Sequence, residues 1–406
     1  MEIGPVMHAM RDPAGVPALP ALFQLLMVVT WVLHIAFVNL TLGTATTAIY
    51  AFYRHPANDD WARLSIALTK VAKVGVSLLI VLGVAPLLFT QVIYDPQWYA
   101  ANVLSARWAM LFIASLIIAY CLWFAFYWAN REGAKRTVGL YAIVALGLFL
   151  MDGLIMHVLS FQSIQPQRWM DWYAPNGVVD TSGGTLHAVE WPRYLFIIAL
   201  SAPAAGIFLI TYADYFRSRA DMPASYLACA RELGRKIAFR GLIVAVPLLV
   251  WWHLDHPRET QLAWEPFGWL MVFAIAIAAN MVRDTRGSMN GYVLAGFGIG
   301  ILTMLAIWRE VVRATYLKQF GYVIYDYKVN VDWPSLLLFF STLIGIGGLV
   351  GGFYLTLLYR SGKVAGRYEA ENTVAKLGTS AVAVVALWIV IFFAYGAAIY
   401  IHNTLM

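Results

Sequence analysis

Ten long apolar stretches constrain this chain more than any other feature of its sequence. Each has roughly the length of about 20 residues that a helix needs to cross the hydrocarbon core of a bilayer. They occupy residues 19–52, 66–94, 104–129, 137–160, 191–216, 236–253, 264–282, 288–309, 334–359 and 377–402. Membrane-spanning strands would alternate polar and apolar residues, and these stretches do not. The sequence therefore predicts an all-α integral membrane protein with about ten transmembrane helices.

The composition agrees with that class. Of the 406 residues, 61% are hydrophobic and 12% are charged, against about 25% charged in a typical soluble domain. Residues 1–18 lack the charged and apolar blocks of a signal peptide, so we interpret them as a polar N-terminal arm on the outer side. Residues 19–406 are predicted to form one polytopic membrane domain, with 19–216 and 236–402 as candidate bundles. The two cysteines lie far apart and no CxxCH motif is present, which excludes covalent c-type haem.

The positive charges predict an orientation. With the N-terminus placed outside, 19 of the 28 lysines and arginines fall in inner loops and 9 fall on the outer side. Because Lys and Arg favour the cytoplasmic side, both termini are predicted to face the periplasm of a bacterial inner membrane. Six of the eight histidines then lie at or beyond outer ends of spans, and His55 alone lies inside. This distribution indicates a redox or metal function near the outer face; interfacial histidines tolerated at helix ends are the alternative.

Ionisable residues inside spans are functional candidates by default. His34 and Asp152 lie within spans, Glu310 and Arg313 lie at or just past the outer end of the eighth, and Arg107 opens the third. His34 has three candidate roles: to ligate haem iron, to relay protons, or to bond a carbonyl group on a neighbouring helix. For Asp152 a proton-carrying role and a packing role stay open. Glu310 and Arg313 share a helix face, and a plain surface ion pair is the alternative there.

Two glycine-rich runs stand out, GFGIG at 296–300 and GIGGLVGG at 345–352. Both contain small residues four positions apart, a spacing that is typical of close helix approach in membranes. Room for a flat cofactor is the other interpretation, and the spacing does not distinguish the two.

Two distant motifs resemble those of subunit I of the cytochrome bd quinol oxidases. LHIAFVNLTLG, which contains His34, is similar to the family's first-helix motif. WREVVRATYL, which starts at Trp308, is similar to the EVGRQPW motif at the outer end of the penultimate helix. LTKVAK at 68–73 and, more loosely, RKIAFRGL at 235–242 follow the family in order and spacing. The chain thus resembles a divergent member over most of its length, which implies helices bundled as in subunit I.

The resemblance implies a set of haem ligands. His34 falls on the axial histidine of one haem of the family's active di-haem pair. Glu310 falls on the glutamate that ligates the other, high-spin b haem, and Arg313 on the motif's arginine near the haems. The resemblance therefore implies haem b as cofactor with His34 and Glu310 as iron ligands, and it leaves haem d and a quinone open. Arg107 and Arg313 are candidates for holding haem propionates.

Two departures from the family concern protons and quinol. The family's third helix carries two acids eight residues apart, and Arg107 and Ser115 stand in those places here. The long quinol-binding loop between the sixth and seventh helices is reduced to about ten residues, HLDHPRETQL. Both the known proton supply and the known donor site are therefore altered.

A third departure concerns the family's low-spin haem. Its histidine ligand on the fifth helix has no match, since an aliphatic residue near Ile197 stands there. Its methionine partner corresponds to Met271, for which apolar packing is the alternative. His157 is a candidate replacement for the missing histidine.

From these features we expect a haem b-binding membrane subunit of a respiratory electron-transfer complex, an oxidoreductase component that passes electrons between the quinol pool and a periplasmic redox partner. Other membrane and periplasmic subunits, including a cytochrome or another redox protein, are the expected partners, and nucleic acid is not. Two alternatives stay open: a divergent cytochrome bd-type quinol:oxygen oxidoreductase subunit I, and a haem-free membrane anchor subunit.

Overall fold

The computed structural model describes residues 3–54, 59–131, 134–283 and 290–405; His55 lies outside them. Within these ranges the chain is helical, and the β-pairing is an isolated bridge between Val16 and Val329. The α-helices are α1 Ile3–Ala9, α2 Pro20–Arg54, α3 Asp59–Ile93, α4 Asp95–Leu104, α5 Ala106–Ala129, α6 Gly139–Gln162, α7 Trp169–Tyr173, α8 Trp191–Ala199, α9 Ser201–Phe216, α10 Ala224–Leu254, α11 Pro266–Arg283, α12 Gly291–Lys318, α13 Trp333–Phe340, α14 Leu349–Ser361 and α15 Asn372–Leu405.

Among the described residues, ten helical segments are long and apolar enough to cross a membrane. The prediction of an all-α, multi-pass membrane protein is therefore confirmed. Two spans are composite. α8 and α9 together form the span Trp191–Phe216, and α13 and α14 form the span Trp333–Ser361 around a π-helical stretch, Ser341–Gly348.

Three helices extend by seven or more residues beyond one end of their predicted apolar stretches. α3 begins at Asp59 instead of 66, α10 begins at Ala224 instead of 236, and α12 ends at Lys318 instead of 309. Hydropathy detects only the apolar part of a helix that crosses the membrane core. The helix itself continues beyond that part for as long as its backbone hydrogen bonds are made. The extension of α12 has a functional consequence, because it places Glu310 and Arg313 inside the helix.

The predicted polar arm packs against the segment that follows α12. Met7 on α1 is buried, and the backbone N–H of Val16 donates to the carbonyl of Lys328 at 2.9 Å. The Arg11 guanidinium lies over the rings of Tyr322 and Tyr327, 4.3 and 4.1 Å from their centroids. The arm is thus fixed by backbone and cation–π contacts.

The chain divides into two compact units, Met1–Asp214 with Ser225–Val329, and Tyr215–Ala224 with Asn330–Met406. In the first unit α2 packs along α3, α5 packs on α6, and α12 packs on α2 and α11. In the second unit α14 packs on α15. The domain boundaries and bundles proposed from the sequence stay a prediction.

The candidate residues of the first unit gather towards one end of its helices, called here the Pro20 end. α2 begins there, α3 ends there at Ile93, and α12 ends there at Lys318. Contacts tie these ends together: the Tyr322 hydroxyl, just past α12, donates to the carbonyl of Ile93 at 3.3 Å. In the predicted orientation this is the outer side.

Candidate functional site

One face of α2 meets one face of α12 near the Pro20 end. Met27, Trp31 and His34 are spaced so that they share a helix face, as do Arg309 and Arg313 on α12. Arg313 Nη1 lies 3.2 Å from the sulfur of Met27, and the Arg309 guanidinium lies 4.0 Å from the ring centroid of Trp31. His34 comes one turn further along α2. These contacts between α2 and α12 bring Arg309 and Arg313 towards the first-helix motif that contains His34.

Glu310 and Arg313 form a buried ion pair, not the surface pair that was the alternative. Each is 7% exposed, and Arg313 Nη1 lies 2.8 Å from Glu310 Oε1. The Tyr94 hydroxyl donates to Glu310 Oε2 at 3.3 Å, and the Arg313 guanidinium lies 4.7 Å from the Tyr94 ring centroid. Burial, and then the Glu310 carboxylate, raise the pKa of Tyr94, so its hydroxyl keeps the proton that it donates.

The His34 imidazole is held by α3. Its Nδ1 lies 2.9 Å from the carbonyl oxygen of Leu79. A carbonyl only accepts hydrogen bonds, so Nδ1 carries the proton and Nε2 keeps its lone pair. A Cβ on Gly83 would lie 2.8 Å from His34 Cε1, so the ring occupies a notch that only glycine leaves open. In metal-bound histidines, one ring nitrogen typically donates to such a carbonyl while the other ligates the metal.

A second buried Glu-x-x-Arg pair lies at the start of α8, and sequence reasoning missed it. Glu190 and Arg193 are 5% and 6% exposed, and Arg193 Nη1 lies 3.5 Å from Glu190 Oε2. Trp252 Nε1 donates to Glu190 Oε1 at 2.9 Å, and Arg193 Nη2 donates to the Ser160 hydroxyl at 3.2 Å. Burial raises the pKa of Glu190 above its ordinary value, against the opposing effect of Arg193. The spacing matches that of Glu310 and Arg313 and was the available signal.

The other predicted site residues divide into one that joins this region and two that do not. His157 is buried, and its Nε2 lies 2.9 Å from the backbone carbonyl oxygen of Glu190. Arg107 is exposed at the start of α5, where its backbone N–H donates to Gly183 at 3.1 Å. Met271 is fully buried on α11, and no polar partner of its sulfur is found within the described ranges. The ligand roles of His157 and Met271 stay predictions.

Unpartnered polar atoms concentrate around this region. A buried polar atom without a partner costs about 1–3 kcal/mol, and such atoms are few in native proteins. In the part of the chain that the structure describes, they include the Nε atoms of Arg193 and Arg309, Nε1 of Trp308, both ring nitrogens of His253 and Nε2 of His256. Burial, and then His253 and Arg193, lower the pKa of His256 to about 4.

Positive charge exceeds negative charge in this region. Three arginines, Arg193, Arg309 and Arg313, lie within electrostatic range of one another. Glu190 and Glu310 pair with Arg193 and Arg313, and Arg309 has no ion pair within the described ranges. Because an uncompensated cation in an apolar setting is costly, this arrangement favours a bound anionic group.

Comparison with solved structures identifies the fold. The chain is similar to a bd oxidase from Geobacillus thermodenitrificans, with a TM-score of 0.60 and 13% sequence identity, over 84% of this chain and 98% of that chain. The chain has a cytochrome bd-like fold. No family model matches the chain, and no curated protein matches it. At 13% identity the likeness concerns the fold, so ligands and electron partners stay proposals.

Proposed function

We propose that this protein is a haem b-binding membrane subunit of a respiratory electron-transfer complex, which passes electrons between the quinol pool and a periplasmic redox partner. The observation that carries the proposal is the setting of His34. Its Nδ1–H donates to Leu79, its ring fills the notch at Gly83, and no partner of Nε2 is found within the described ranges. Such an imidazole is ready to ligate iron.

Charged residues of α12 fit the same cofactor. Glu310 accepts one hydrogen bond on each carboxylate oxygen, which leaves lone pairs for a metal. Arg309, which has no ion pair within the described ranges, would supply positive charge for a haem propionate, a role that the exposed Arg107 is less well placed to take. Bound haem would supply a one-electron change between ferric and ferrous iron. The chain would hold the iron, neutralise the propionates and exclude water.

The connection between α10 and α11 supports a role for partner subunits. α10 ends at Leu254 and α11 begins at Pro266, and two single-turn 3₁₀ helices, Arg258–Thr260 and Leu262–Trp264, occupy the connection. So short a connection offers little surface for a quinol, so we propose that quinol is oxidised on a companion membrane subunit. The periplasmic partner would then be a cytochrome or another one-electron carrier.

The test is a pyridine haemochrome assay on the purified chain. Wild type is expected to contain haem b, and His34→Ala and Glu310→Gln are each expected to lose at least about half of it. His402→Ala, at an exposed position of α15, is the matched control and keeps the full haem content. Absence of haem b from the wild type would overturn the proposal and favour the haem-free anchor subunit.

A divergent quinol:oxygen oxidoreductase is the second candidate, and the likeness to a bd oxidase favours it. Oxygen reduction needs a proton supply, and a buried carboxyl group, Asp152 on α6, faces the buried hydroxyl of Ser115 on α5. Cyanide-insensitive oxygen uptake with a quinol donor, together with a far-red haem d band, would select this candidate.

A further inference from the structure

The N-terminal arm, residues 3–18, covers side chains at the Pro20 end that water would otherwise reach. Met7 of the arm is buried, and its sulfur lies 3.6 Å from Nε2 of Gln97 on α4. Gln97 is 1% exposed, and Tyr94, which precedes α4, is 2% exposed. Because α4 has only ten residues, it is too short to cross a membrane. Protein packing therefore has to keep this region dry, and the arm contributes to that packing.

A column of stacked side chains connects the arm to the buried ion pair of Glu310 and Arg313. The Arg313 guanidinium lies 4.7 Å from the ring centroid of Tyr94. The Tyr94 ring stacks on that of Tyr322, with 6.4 Å between the centroids. The Arg11 guanidinium lies 4.3 Å from the Tyr322 centroid. The order along the column is therefore Arg313, Tyr94, Tyr322 and Arg11, so a residue of the arm stands at one end and the ion pair at the other.

The arm is fastened to the segment that follows α12 by close backbone contacts. Arg11 Nη2 donates to the carbonyl of Val323 at 2.7 Å. A Cβ on Gly4 would lie 2.2 Å from the carbonyl oxygen of Phe320, so glycine is what lets α1 approach this backbone. Arg11 thus combines a hydrogen bond with its position at the end of the column.

Few apolar contacts hold the arm in addition to these. Met7, Val16 and Ala18 are buried, whereas Val6 and Met10 are 38% and 48% exposed. Segments that bury few apolar side chains open at a lower free energy than the core of a protein. The arm is therefore expected to detach while the long helices stay folded.

We propose that the N-terminal arm is a lid over the ion pair of Glu310 and Arg313, held closed by Arg11. In the closed state it keeps water from Tyr94, so the ion pair stays in surroundings of low polarity, where charges interact more strongly than in water. Opening the lid admits water to Tyr94 and, beyond it, to the pair. Displacement of the arm thus changes the surroundings of Glu310 without any contact with Glu310 itself. The inference rests on the contacts of the arm and does not depend on the proposed haem.

The test labels a cysteine placed beneath the arm. Gln97→Cys is made in a full-length chain whose native cysteines, Cys121 and Cys229, are replaced by serine. The purified chain in detergent is then treated with a water-soluble maleimide. Arg11→Gln, which removes the cation, and Gly4→Val, which pushes α1 away from the backbone beneath it, should each raise the labelling rate at least about tenfold over the wild-type arm.

Two controls accompany the labelling. Met10→Gln changes an exposed side chain next to Arg11 and should leave the rate unchanged. Val178→Cys, at a position that is 71% exposed, should react rapidly and at the same rate with every version of the arm. Equal rates at Gln97→Cys with the wild-type arm and both altered arms would overturn the inference. Labelling of Gln97→Cys with the wild-type arm as fast as that of Val178→Cys would overturn it as well.

Hydrogen–deuterium exchange tests the lid without an introduced cysteine, in case Gln97→Cys does not fold. Peptides from α4 and from residues 310–322 should exchange faster in Arg11→Gln than in the wild type, whereas peptides from α15 should not change. Unchanged exchange of α4 in Arg11→Gln would contradict the lid. Haem content, measured on the same samples, tests the proposed function separately, because the arm contains none of the proposed ligands.

Discussion

At the scale of single residues, Gly83 determines whether His34 is able to serve as a ligand. A methyl group at this position would lie 2.8 Å from Cε1 and 3.0 Å from Nδ1 of the imidazole, closer than atoms pack. We therefore expect Gly83→Ala to displace the ring from the Leu79 carbonyl and to lower the haem-to-protein ratio at least about twofold. The pyridine haemochrome assay measures this ratio.

Gly147→Ala is the matched control, because no atom lies within 4 Å of the added methyl group on α6. Its haem content should equal that of the wild type. If Gly83→Ala also binds haem like the wild type, the notch does not position His34.

The ion pair of Glu310 and Arg313 should be costly to break. Removing one partner of a buried pair leaves an uncompensated charge and costs about 3–5 kcal/mol. Arg313→Gln is therefore expected to lower the free energy of unfolding by about that amount, measured by chemical denaturation in detergent. Arg235→Gln removes one partner of an exposed pair with Glu232 and should cost less than about 1 kcal/mol. Similar costs for the two variants would contradict the buried character of the first pair.

Asp95 gives a pH-dependent prediction. It accepts hydrogen bonds from the Tyr327 hydroxyl and from the backbone N–H of Asp12, yet burial raises its pKa overall. A raised folded-state pKa means that the folded chain binds more protons than the unfolded chain, so stability falls as pH rises through it. Asp95→Asn cannot ionise, so its unfolding temperature relative to the wild type should increase with pH from about pH 4 upward.

Asp180 is the opposite case and serves as the control. Hydrogen bonds from Ser182 lower the pKa of this exposed carboxyl group. A lowered pKa contributes stability above the unfolded-state value and loses it as pH falls, so Asp180→Asn should lose stability relative to the wild type as pH rises. The same sign of slope for both variants would contradict the assignment of burial as the cause at Asp95.

At the scale of helices, close approach occurs at glycines other than those in the two conspicuous runs. Added Cβ atoms at Gly296, Gly300 and Gly345 would meet nothing within 4 Å. Gly206 on α9 and Gly234 on α10 instead face each other, and a Cβ on either would lie within 2.6 Å of the other's carbonyl oxygen. A repeat of small residues shows that a helix surface is flat, but which surface meets a neighbour depends on tertiary packing.

The α9–α10 contact makes a stability prediction. Gly234→Ala forces a methyl group against the Gly206 carbonyl and should cost about 1–3 kcal/mol, as overpacking does. Gly300→Ala adds the same methyl group to open space on α12 and should be neutral or stabilising by up to about 1 kcal/mol. Thermal unfolding in detergent compares the two variants. Equal unfolding temperatures would contradict a close contact between α9 and α10 at Gly234.

Helix-level reasoning also explains which parts of the candidate site could be predicted. Motif spacing along one helix identified His34, Glu310 and Arg313. Tyr94 hydrogen-bonds to Glu310 from 216 positions away in the sequence, and this contact depends on how α3 and α12 are aligned. Arg309 could not be predicted for the same reason, because its contact with Trp31 on α2 depends on how α2 and α12 are aligned.

At the scale of the whole molecule, hydropathy predicted the number of spans but not what surrounds them. In the second unit, α13 and α14 contain no buried residue, and on α15 only Val374 and Ala381 are buried. These helices therefore bury little of their apolar surface against one another. A helix surface of apolar residues packs equally well against lipid and against an apolar surface of another protein. The sequence alone therefore does not tell which of these surrounds the helix.

Orientation is the property of the whole molecule on which the periplasmic partner depends. If positive charge sets it, the start of α10 faces the cytoplasm and the Pro20 end faces the periplasm. Cys229, exposed near the start of α10, should therefore react with a membrane-impermeant maleimide in inverted vesicles and not in spheroplasts. Cys121→Ser removes the other cysteine, which is exposed on α5.

The control for this labelling is a cysteine at the opposite end of the helices. Val178 is 71% exposed in the segment between α7 and α8. With both native cysteines replaced, Val178→Cys should react in spheroplasts and not in inverted vesicles. The reverse pattern for the two positions would place Glu310 and His34 towards the cytoplasm. A periplasmic electron partner would then have no route to the proposed haem, while the ligand set itself would be unaffected.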